Sequence, residues 1–415
     1  MPTTFSAEFL GCKVSHTDLV GLRERLADAG YAEAADGTGQ VHVVNGCCVT
    51  AEAVAKTRQA VRRALAEADH VLVTGCAARL DGAGLEGIDP RVRVVREAAE
   101  ATPAAVLGTL AGLGCTGGER TGLAPLRRRM FLKVQDGCSF PCAYCVIPEV
   151  RGPTRSRPVG EVLAEAERRV RQGHREVVVT GVNVGLYRDR DAGLDLTGLL
   201  ARLAGVVGLE RVRLSSIEPN HLADDLLDVL ARAPYLPHLH VPLQTGSDRL
   251  LRGMRRRYGA ADYADRIRAA RARMPEVAVT ADVIAGLPGE TEDDHRATLA
   301  LVEGLGLARL HVFPYSPRPG TPTAHDDTDP AVKRRRAAEL RALSDRLQRA
   351  HRTRHVGVLD AVLVEQAEAD GAGRGQGRDG TPWRVVGAGA AVGRVVTARG
   401  TAILGDGRIS GEVTA

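Results

Sequence analysis

The sequence predicts an α/β protein with three parts: an N-terminal open parallel α/β domain, a central partial (β/α)6 barrel and a small C-terminal β-barrel. Apolar strand-like stretches alternate with amphipathic helical stretches as far as about residue 350, and polar or glycine-rich groups follow the strands directly. Short β-rich stretches come after them. Since 415 residues exceed the usual size of one domain, each part can bury its own core. We expect boundaries at 1–122, 123–353 and 354–415.

Three cysteines in the N-terminal part each follow a predicted strand. The elements, in order, are an apolar stretch ending at Gly11-Cys12, an amphipathic helix to Gly30, "VHVVNGC" ending at Cys47, a helix from about Ala51 to Ala68, and "HVLVTGC" ending at Cys76. Ligands gather at the carboxyl ends of parallel strands, so Cys12, Cys47 and Cys76 should converge on one rim. The alternative is that they are small buried hydrophobic residues. Cys48 and Cys115 lack this placement and are interpreted as structural.

Six candidate strands define the central barrel. They are "FLKVQ", "EVVVTG", "RVRLSS", "HLHVPL", "VAVTADVIAG" and "ARLHVFPYS", with helical patterns between them such as Val159–Gln172 and Thr291–Glu303. The polar groups at their ends are Asp136-Gly137, Thr180–Asn183, Ser215-Ser216 with Glu218, Gln244–Gly246, Gly286–Glu290 and Tyr315-Ser316. That face of a β/α barrel carries the active site.

The C-terminal part begins after a long amphipathic helix that starts near Pro330 and closes the barrel domain. Two β-rich stretches follow, "VGVLDAVLVEQ" and "GRVVTARGTAILGDGRISGEV". Between them, "EADGAGRGQGRDGTP" is predicted by composition to be a flexible loop. These stretches predict a small β-barrel.

The stretch "KVQDGCSFPCAYCVIPEVRG" places Cys138, Cys142 and Cys145 in one tight loop after the first barrel strand. In a reducing compartment, clustered thiols indicate metal binding or catalysis more often than disulfides. Structural zinc needs four protein ligands, and neither histidine nor a fourth cysteine is near. Four irons held by three thiolates leave one iron open to a substrate or cofactor. A zinc knuckle is the alternative.

Charge and hydropathy restrict the partners and the compartment. The formal net charge is +5, and basic residues form runs at Arg127–Arg129, Arg255–Arg257 and Lys333–Arg336. Each run is either a solvated surface or a phosphate contact, and together they favour an RNA or DNA partner. Aromatic residues make up only 3%, which argues against a broad base-stacking platform. With no signal segment and no membrane-length apolar run, we expect a cytoplasmic protein without a membrane partner.

The three-then-two cysteine spacing, with Tyr144 before the last cysteine, is the pattern associated with radical S-adenosylmethionine (SAM) enzymes. Over nearly its whole length the chain resembles the radical-SAM tRNA methylthiotransferases, most closely the branch that acts on threonylcarbamoyladenosine. The motifs that carry the resemblance are "GCKVSHTD", "VVNGCCVT", "VTGCAAR", "KVQDGCSFPCAYCVIPEVRGPTRSRP", "RLSSIEP", "PHLHVPLQTGSD" and "LHVFPYSPRPGTP".

The resemblance implies a transferase that adds a methylthio group to carbon 2 of threonylcarbamoyladenosine at position 37 of tRNA, using two SAM molecules and two [4Fe-4S] clusters. Cys138, Cys142 and Cys145 would hold the cluster that binds SAM, and Cys12, Cys47 and Cys76 an auxiliary cluster. By alignment Cys47 is the ligand, although Cys48 stands where the family has threonine. The residues expected at the cofactor are Tyr144, Thr180, Gly181, Ser215, Ser216, Glu218, Gly286, Gly289 and Glu290; each could instead serve barrel packing or capping.

The resemblance also implies an electron donor such as flavodoxin or ferredoxin, whereas the sulfur donor stays open. The C-terminal part is similar to a divergent RNA-binding TRAM domain. Alternative substrates are isopentenyladenosine in tRNA and a ribosomal protein. An alternative of another class is a non-catalytic, metal-dependent RNA-binding protein, which leaves the glycine motifs of the barrel face unexplained.

Overall fold

A computed structural model describes residues 2–34, 38–123 and 128–414. The described residues form two compact units. The first comprises those of Met1–Leu126, Asp136–Arg155 and Ser316–Ala324, and the second those of Arg127–Gln135, Ser156–Tyr315 and His325–Ala415. Arg127, part of the first basic run, lies outside the described residues. The three predicted domain boundaries stay predictions.

The first unit contains a five-stranded sheet with the order β2-β1-β3-β4-β5. Its strands are β1 (Thr4–Phe9), β2 (Ala32–Glu33), β3 (Val41–Gly46), β4 (His70–Thr74) and β5 (Val92–Val94). Every pairing is parallel, and Phe5 on β1 lies opposite Val41 on β3. The predicted open parallel sheet is therefore confirmed.

The described part of the first unit contains the helices α1 (Lys13–Asp28), α2 (Ala51–Ala64), α3 (Gly75–Ala78), α4 (Thr102–Gly112) and α5 (Ile147–Arg151). The hydroxyl of Thr50 caps α2 by accepting a hydrogen bond from the Ala53 amide at 3.1 Å. We predicted that α2 would continue to Ala68. It ends earlier because the next amides, such as Ala66 N–H to the Arg63 carbonyl, bond three residues back in a tighter turn.

The second unit contains a six-stranded partial barrel. Its strands, with three two-residue strands between them, are β6 (Arg129–Asp136), β7 (Arg155–Ser156), β8 (Glu176–Gly181), β9 (Arg188–Asp189), β10 (Leu194–Asp195), β11 (Arg211–Leu214), β12 (His238–His240), β13 (Ala278–Ala285) and β14 (Arg309–Pro314). Strand β8 pairs with β6 and β11, β13 pairs with β12 and β14, and all four pairings are parallel. A parallel bridge between Ser216 and His240 connects the two sheets. The six predicted barrel strands are confirmed.

Helices cover the barrel strands of the second unit. They are α6 (Val159–Arg171), α7 (Leu196–Leu203), α8 (Asp224–Leu230), α9 (Asp248–Gly253), α10 (Ala260–Arg273), α11 (Glu292–Leu305) and α12 (Pro330–Thr353). Helix α12 lies against β14, where the Leu310 amide donates to the Ser344 hydroxyl at 3.0 Å. Within the three described ranges, no helix combines the length and the apolar character needed to cross a bilayer.

The C-terminal strands form a closed barrel with the order β15-β16-β17-β19-β18. The strands are β15 (Leu359–Ala367), β16 (Gly373–Gln376), β17 (Pro382–Val386), β18 (Val395–Ile403) and β19 (Ile409–Val413). Trp383, Val362 and Val385 are fully buried inside it. This barrel confirms the predicted C-terminal fold.

The prediction of a flexible loop between the two β-rich stretches is wrong for β16, which pairs with both β15 and β17. A Cβ atom on Gly375 would lie 2.0 Å from the Leu363 carbonyl oxygen, and one on Gly373 would lie 2.8 Å from Val364 Cγ1. These glycines therefore permit close approach of strands in a narrow barrel. Composition alone does not separate that use of glycine from flexibility.

A buried charge cluster stabilises the second unit. The Glu176 carboxylate is 0% exposed and accepts hydrogen bonds at 2.8 Å from Nε of Arg211 and of Arg213. The other guanidinium nitrogens donate to backbone carbonyls at Ala361 and Gly377, so the cluster joins β8 and β11 to the C-terminal barrel. All of these groups lie within the second unit.

Replacing Glu176 by glutamine should lower the free energy of unfolding by roughly 3–5 kcal/mol, because two buried guanidinium groups lose their counter-charge. Thermal unfolding followed by circular dichroism measures the effect. The control is Glu210→Gln, which breaks a half-exposed pair with Arg175 and should cost less than about 1 kcal/mol. Equal shifts in the two variants would contradict the assigned role of the cluster.

Candidate metal centre

Cys12, Cys47 and Cys76 follow three adjacent strands of the first unit, β1, β3 and β4. Because these strands are parallel, the three cysteines lie at the same edge of the sheet. Cys12 is exposed, whereas Cys47 and Cys76 are buried. The structure thus brings the three residues together, as predicted from the strand ends.

Glycines allow the strand ends to approach each other at this edge. A Cβ atom on Gly11, whose φ is +127°, would lie 3.2 Å from Cys47 Sγ. On Gly75, with φ of +80°, it would lie 2.1 Å from Asn45 Oδ1. Any other residue at either position would combine a strained backbone with crowding beside the cysteines. The close approach of the strand ends at this edge therefore depends on Gly11 and Gly75.

The buried thiols differ in their electrostatic environment. Burial, together with the nearby Cys76 and Cys12 thiols, raises the pKa of Cys47 to about 11. The neighbouring Cys48 thiol and the adjacent Arg151 guanidinium lower the pKa of Cys76 to about 6. The neighbouring Cys76 thiol in turn raises the pKa of Cys48. With Arg151 Nε 3.0 Å from its sulfur, Cys76 is the thiol of this set whose surroundings favour the thiolate.

Arg151 lies at the centre of a buried ionic network in the first unit. Its Nε is 3.0 Å from Cys76 Sγ, Nη2 is 2.8 Å from Asp18 Oδ2, and Nη1 is 3.0 Å from Asp136 Oδ1. The three acidic groups share one guanidinium, whose fork of donors allows several partners at once. The positive charge of Arg151 thus partly offsets the negative charges of the Cys76 thiolate and of the two carboxylates.

The loop with Cys138, Cys142 and Cys145 is shaped by backbone hydrogen bonds. The Cys138 amide donates to the Gly152 carbonyl at 3.1 Å, and the Cys145 amide donates to the Cys142 carbonyl at 3.1 Å. The Phe140 amide lies 3.4 Å from Cys138 Sγ. This amide therefore orients the Cys138 side chain within the loop. All three cysteines of this loop are partly exposed.

The two cysteine groups belong to the same compact unit. Helix α5 begins two residues after Cys145, and its Val150 packs in the apolar cluster that contains Cys48 and Cys76. Residues Ser316–Ala324 contact both neighbourhoods: Arg318 Nη1 is 3.2 Å from the Cys48 carbonyl oxygen, and the Thr323 amide donates to the Ala143 carbonyl at 3.1 Å. Two sets of three cysteines therefore lie within one folded body.

The chemistry of the donors fits iron–sulfur clusters. Each set offers three thiols, and soft thiolate ligands favour such clusters over hard cations. Arg151 favours the thiolate form of Cys76, and the Phe140 amide is directed at Cys138 Sγ. Among the described residues, the closely spaced groups of possible metal ligands are two His/Asp groups of the second unit, and neither of them includes these cysteines.

The polar residues predicted at the barrel face lie at strand ends of the second unit. Thr180 and Gly181 end β8, and Ser215 and Ser216 directly follow β11. Thr180 and Ser215 are buried, and among the described residues the Ser215 hydroxyl has no hydrogen-bond partner. The Glu218 carboxylate is instead paired with Arg256, and burial raises its pKa. The cofactor contacts expected here stay predictions.

The glycine-rich turn after β13 is held by Glu290. Glu290 Oε2 accepts hydrogen bonds from the Gly286 amide at 2.7 Å and from Arg336 Nη1 at 2.9 Å. Gly286 has a φ of +74° and Gly289 a φ of +67°, conformations that favour glycine. The Glu290 side chain is therefore engaged in shaping the turn. The turn would contact a cofactor through its backbone groups. Tyr144 lies, partly buried, in the cysteine loop of the first unit.

Three residues to which the sequence assigned no role form a polar group on the barrel. Asp282 on β13 lies 3.2 Å from His240 Nε2 and 3.4 Å from His311 Nδ1. The three residues occupy adjacent parallel strands, so the group follows from strand register. It faces away from the apolar positions Ala281 and Val283, which are fully buried.

Sequence reasoning missed Arg151, Asp18 and the contact between Cys48 and Cys76. Asp18 and Arg151 lie in quoted motifs, "GCKVSHTD" and "KVQDGCSFPCAYCVIPEVRG", but are 133 residues apart in the chain. The one available signal was the position of charged residues inside otherwise apolar or cysteine-bearing motifs. Such a signal does not identify the residue with which each charge pairs, because that pairing depends on the fold.

Comparisons with known proteins place the chain in a family. The model of the radical SAM superfamily matches residues 132–302, and that of Uncharacterized protein family UPF0004 matches residues 4–96. The threonylcarbamoyladenosine tRNA methylthiotransferase MtaB of Bacillus subtilis is 35% identical over 387 residues, which cover 88% of this chain and 85% of that protein. The tRNA-2-methylthio-N(6)-dimethylallyladenosine synthase of Sphingopyxis alaskensis is 34% identical, covering 96% of this chain and 95% of that protein.

The radical SAM methyltransferase TsrM of Kitasatospora setae has a similar fold, with a TM-score of 0.57 at 17% identity over 78% of this chain and 77% of that one. The chain therefore belongs to the radical-SAM tRNA methylthiotransferase family. It is an enzyme, a transferase that modifies tRNA, and membership of the superfamily implies SAM and a [4Fe-4S] cluster.

Proposed function

We propose that this enzyme adds a methylthio group to carbon 2 of threonylcarbamoyladenosine at position 37 of tRNA, with two SAM molecules and two [4Fe-4S] clusters. The placement of two sets of three cysteines in one compact unit supports the two-cluster part. The identity to the Bacillus subtilis relative supports the choice of base, together with the "LHVFPYSPRPGTP" motif.

The cysteines have separate roles in this proposal. Cys138, Cys142 and Cys145 would hold the cluster that binds SAM, and Cys12, Cys47 and Cys76 would hold the second cluster. When bound, these groups would supply the radical chemistry that replacement of an unactivated C–H bond requires. The protein's own task is to position them and to exclude water and oxygen.

The surroundings of the second cysteine set suit that task. Cys47 and Cys76 are buried, which limits access of water to the sulfur. Arg151 offsets the negative charge that accumulates when several thiolates lie beside Asp18 and Asp136. Cys48, which neighbours Cys76, would act as an outer partner that orients the ligand.

The barrel face would position SAM. We expect the backbone of Gly286–Gly289, the end of β8 at Thr180 and Gly181, and the Ser215 hydroxyl, which has no partner among the described residues, to contact it. Glu290 holds the turn that presents these amides and carbonyls. A one-electron donor such as flavodoxin or ferredoxin would complete the system.

A second substrate is favoured by one observation. The Sphingopyxis alaskensis dimethylallyladenosine synthase matches this chain over 96% of its length at nearly the same identity as the Bacillus subtilis protein. Isopentenyl-type adenosine in tRNA is therefore the alternative base. The cysteine geometry supports both choices equally, so nucleoside analysis has to decide.

The deciding experiment is mass spectrometry of tRNA nucleosides from a strain lacking the protein, with and without its restoration. Loss and return of 2-methylthio-threonylcarbamoyladenosine is the expected result. Loss of the 2-methylthio-isopentenyl nucleoside instead would replace the proposed base by the alternative. Unchanged levels of both would contradict the proposal.

Replacing Arg151 by methionine should weaken iron binding at the Cys12, Cys47 and Cys76 set by roughly 10–100-fold, the usual range for loss of an outer partner. The change removes the positive charge that stabilises the Cys76 thiolate and leaves two carboxylates beside it. Timed removal of iron by a chelator from the reconstituted protein measures the effect. The control is Arg155→Met, whose partly exposed guanidinium pairs with Glu100; if this variant lost iron equally fast, the role of Arg151 would be refuted.

A further inference from the structure

We propose that His351, His355 and Asp379 form a zinc-binding site in the second unit, separate from both cysteine sets. Nothing in the proposed methylthio transfer requires this site. Nε2 of His351 lies 2.6 Å, and Nε2 of His355 2.9 Å, from the same oxygen, Asp379 Oδ2. Two imidazole nitrogens and one carboxylate oxygen thus converge, all within 4.8 Å of one another.

The fold brings these three residues together from two elements. His351 lies in the last turn of α12, and His355 comes four residues later, so both imidazoles occupy one side of the helix end. Asp379 lies in the turn between β16 and β17, where the Gly377 amide donates to the Thr381 carbonyl at 2.9 Å. The site would therefore tie the helix end to the C-terminal barrel.

The carboxylate of Asp379 is oriented by an outer hydrogen bond. The Thr381 amide donates to Oδ1 at 2.8 Å, and the Thr381 hydroxyl donates at 3.1 Å to Oδ2, the oxygen that also faces the two histidines. On the opposite side of His355, Nδ1 lies 3.9 Å from Asp360 Oδ2. Backbone or carboxylate partners of this kind commonly orient metal ligands and select the ring nitrogen that binds.

The local electrostatics favour a cation. The Asp379 carboxylate oxygen Oδ2 is the point on which both imidazole nitrogens converge, and it offers a cation an anionic ligand. The terminal carbonyls of the 24-residue helix α12 carry partial negative charge toward the same place. Both features suit a divalent ion.

The chemical types of these three ligands and their partial exposure favour a zinc ion with one coordination position open to water. Zinc accepts histidine nitrogen and carboxylate oxygen at about 2.0–2.2 Å in tetrahedral geometry, which places ligand atoms roughly 3.3–3.5 Å apart. The observed separations of 2.6 and 2.9 Å need to widen by less than about 1 Å. Side chains of His351 and His355 are 14% and 15% exposed, and that of Asp379 is 6% exposed. Water can therefore supply a fourth ligand.

The chain carries its own probe for this site. Trp383 is the only tryptophan in the sequence; it is fully buried, and its ring centroid lies 5.9 Å from that of His355. A paramagnetic ion such as Co²⁺ bound at His355 would quench its fluorescence, whereas diamagnetic Zn²⁺ would not. Fluorescence therefore reports this site and not zinc held by cysteines elsewhere.

The test titrates Co²⁺ into the full-length protein with its iron sites reconstituted, and compares Asp379→Asn with the exposed His325→Gln as control. We expect saturable quenching with one equivalent in the wild type and the control, reversal by Zn²⁺, and loss in Asp379→Asn. Equal quenching in all three proteins would overturn the site. Quenching that Zn²⁺ fails to reverse would overturn the assignment to zinc.

A second variant covers the case in which Asp379→Asn disturbs folding, seen as a shifted Trp383 emission maximum without metal. His351→Gln retains the bond between His355 and Asp379 and removes one ligand. We expect at least tenfold weaker Co²⁺ quenching in a protein with unchanged metal-free emission. Unweakened quenching in His351→Gln would refute the proposal.

Discussion

The Cys142→Ala variant is expected to lose reductive cleavage of SAM completely. The cysteine loop offers three thiols, and a cluster held by only two of them lacks the ligand set that keeps one iron open for SAM. Formation of 5′-deoxyadenosine in the presence of a chemical reductant measures the loss. Iron content should fall at the same time.

The matched control for this experiment is Cys115→Ala. Cys115 is also a partly exposed cysteine of the first unit, but it lies outside both cysteine sets. It should cleave SAM at the wild-type rate. Substantial cleavage by Cys142→Ala would show that Cys138 and Cys145 do not need this partner, and the assignment of the loop would fail.

The Cys47→Ala variant should separate the two halves of the chemistry. We expect it to cleave SAM at close to the wild-type rate, because Cys138, Cys142 and Cys145 are unchanged. Methylthiolated tRNA should fall below detection, since the second set retains only Cys12 and Cys76. Parallel assays of 5′-deoxyadenosine and of modified nucleosides on the same samples measure both outcomes.

Cys48 provides the informative control for Cys47. Its thiol neighbours Cys76, and threonine at this position would supply a hydroxyl group in its place. Cys48→Thr should therefore retain methylthiolation. If Cys48→Thr lost the activity while Cys47→Ala kept it, Cys48 would be the ligand and the alignment-based choice of Cys47 would be wrong.

Periodicity and turn residues predicted most of the fold. The six barrel strands were recognisable because buried parallel strands form short apolar runs bounded by polar and glycine residues. Helix ends were less predictable, as the early end of α2 at Ala64 shows. Strand β16 was missed because its glycines serve close approach to Leu363 and Val364, a use that composition does not reveal.

The candidate centre was predictable to a similar extent. Strand ends in a parallel sheet identify Cys12, Cys47 and Cys76 as neighbours without any coordinates. The ionisation of Cys76 was not predictable, because it depends on Arg151, which is 75 residues away in the chain, and on the thiol of Cys48. A charge acts through distance and burial, and neither is a property of local sequence.

The sequence by itself determined the chemical class of this protein. Three cysteines within eight residues form one loop whatever surrounds them, so their ligand set is local and readable from spacing. Only the tertiary structure decided which charges balance the thiolates and which residues converge at a distance. Arg151 pairs with Cys76, and His351 and His355 meet Asp379, although in both cases the partners lie on different segments of the chain. A buried charge is stable only beside a partner, and it is the folding of the chain that brings such a partner to it.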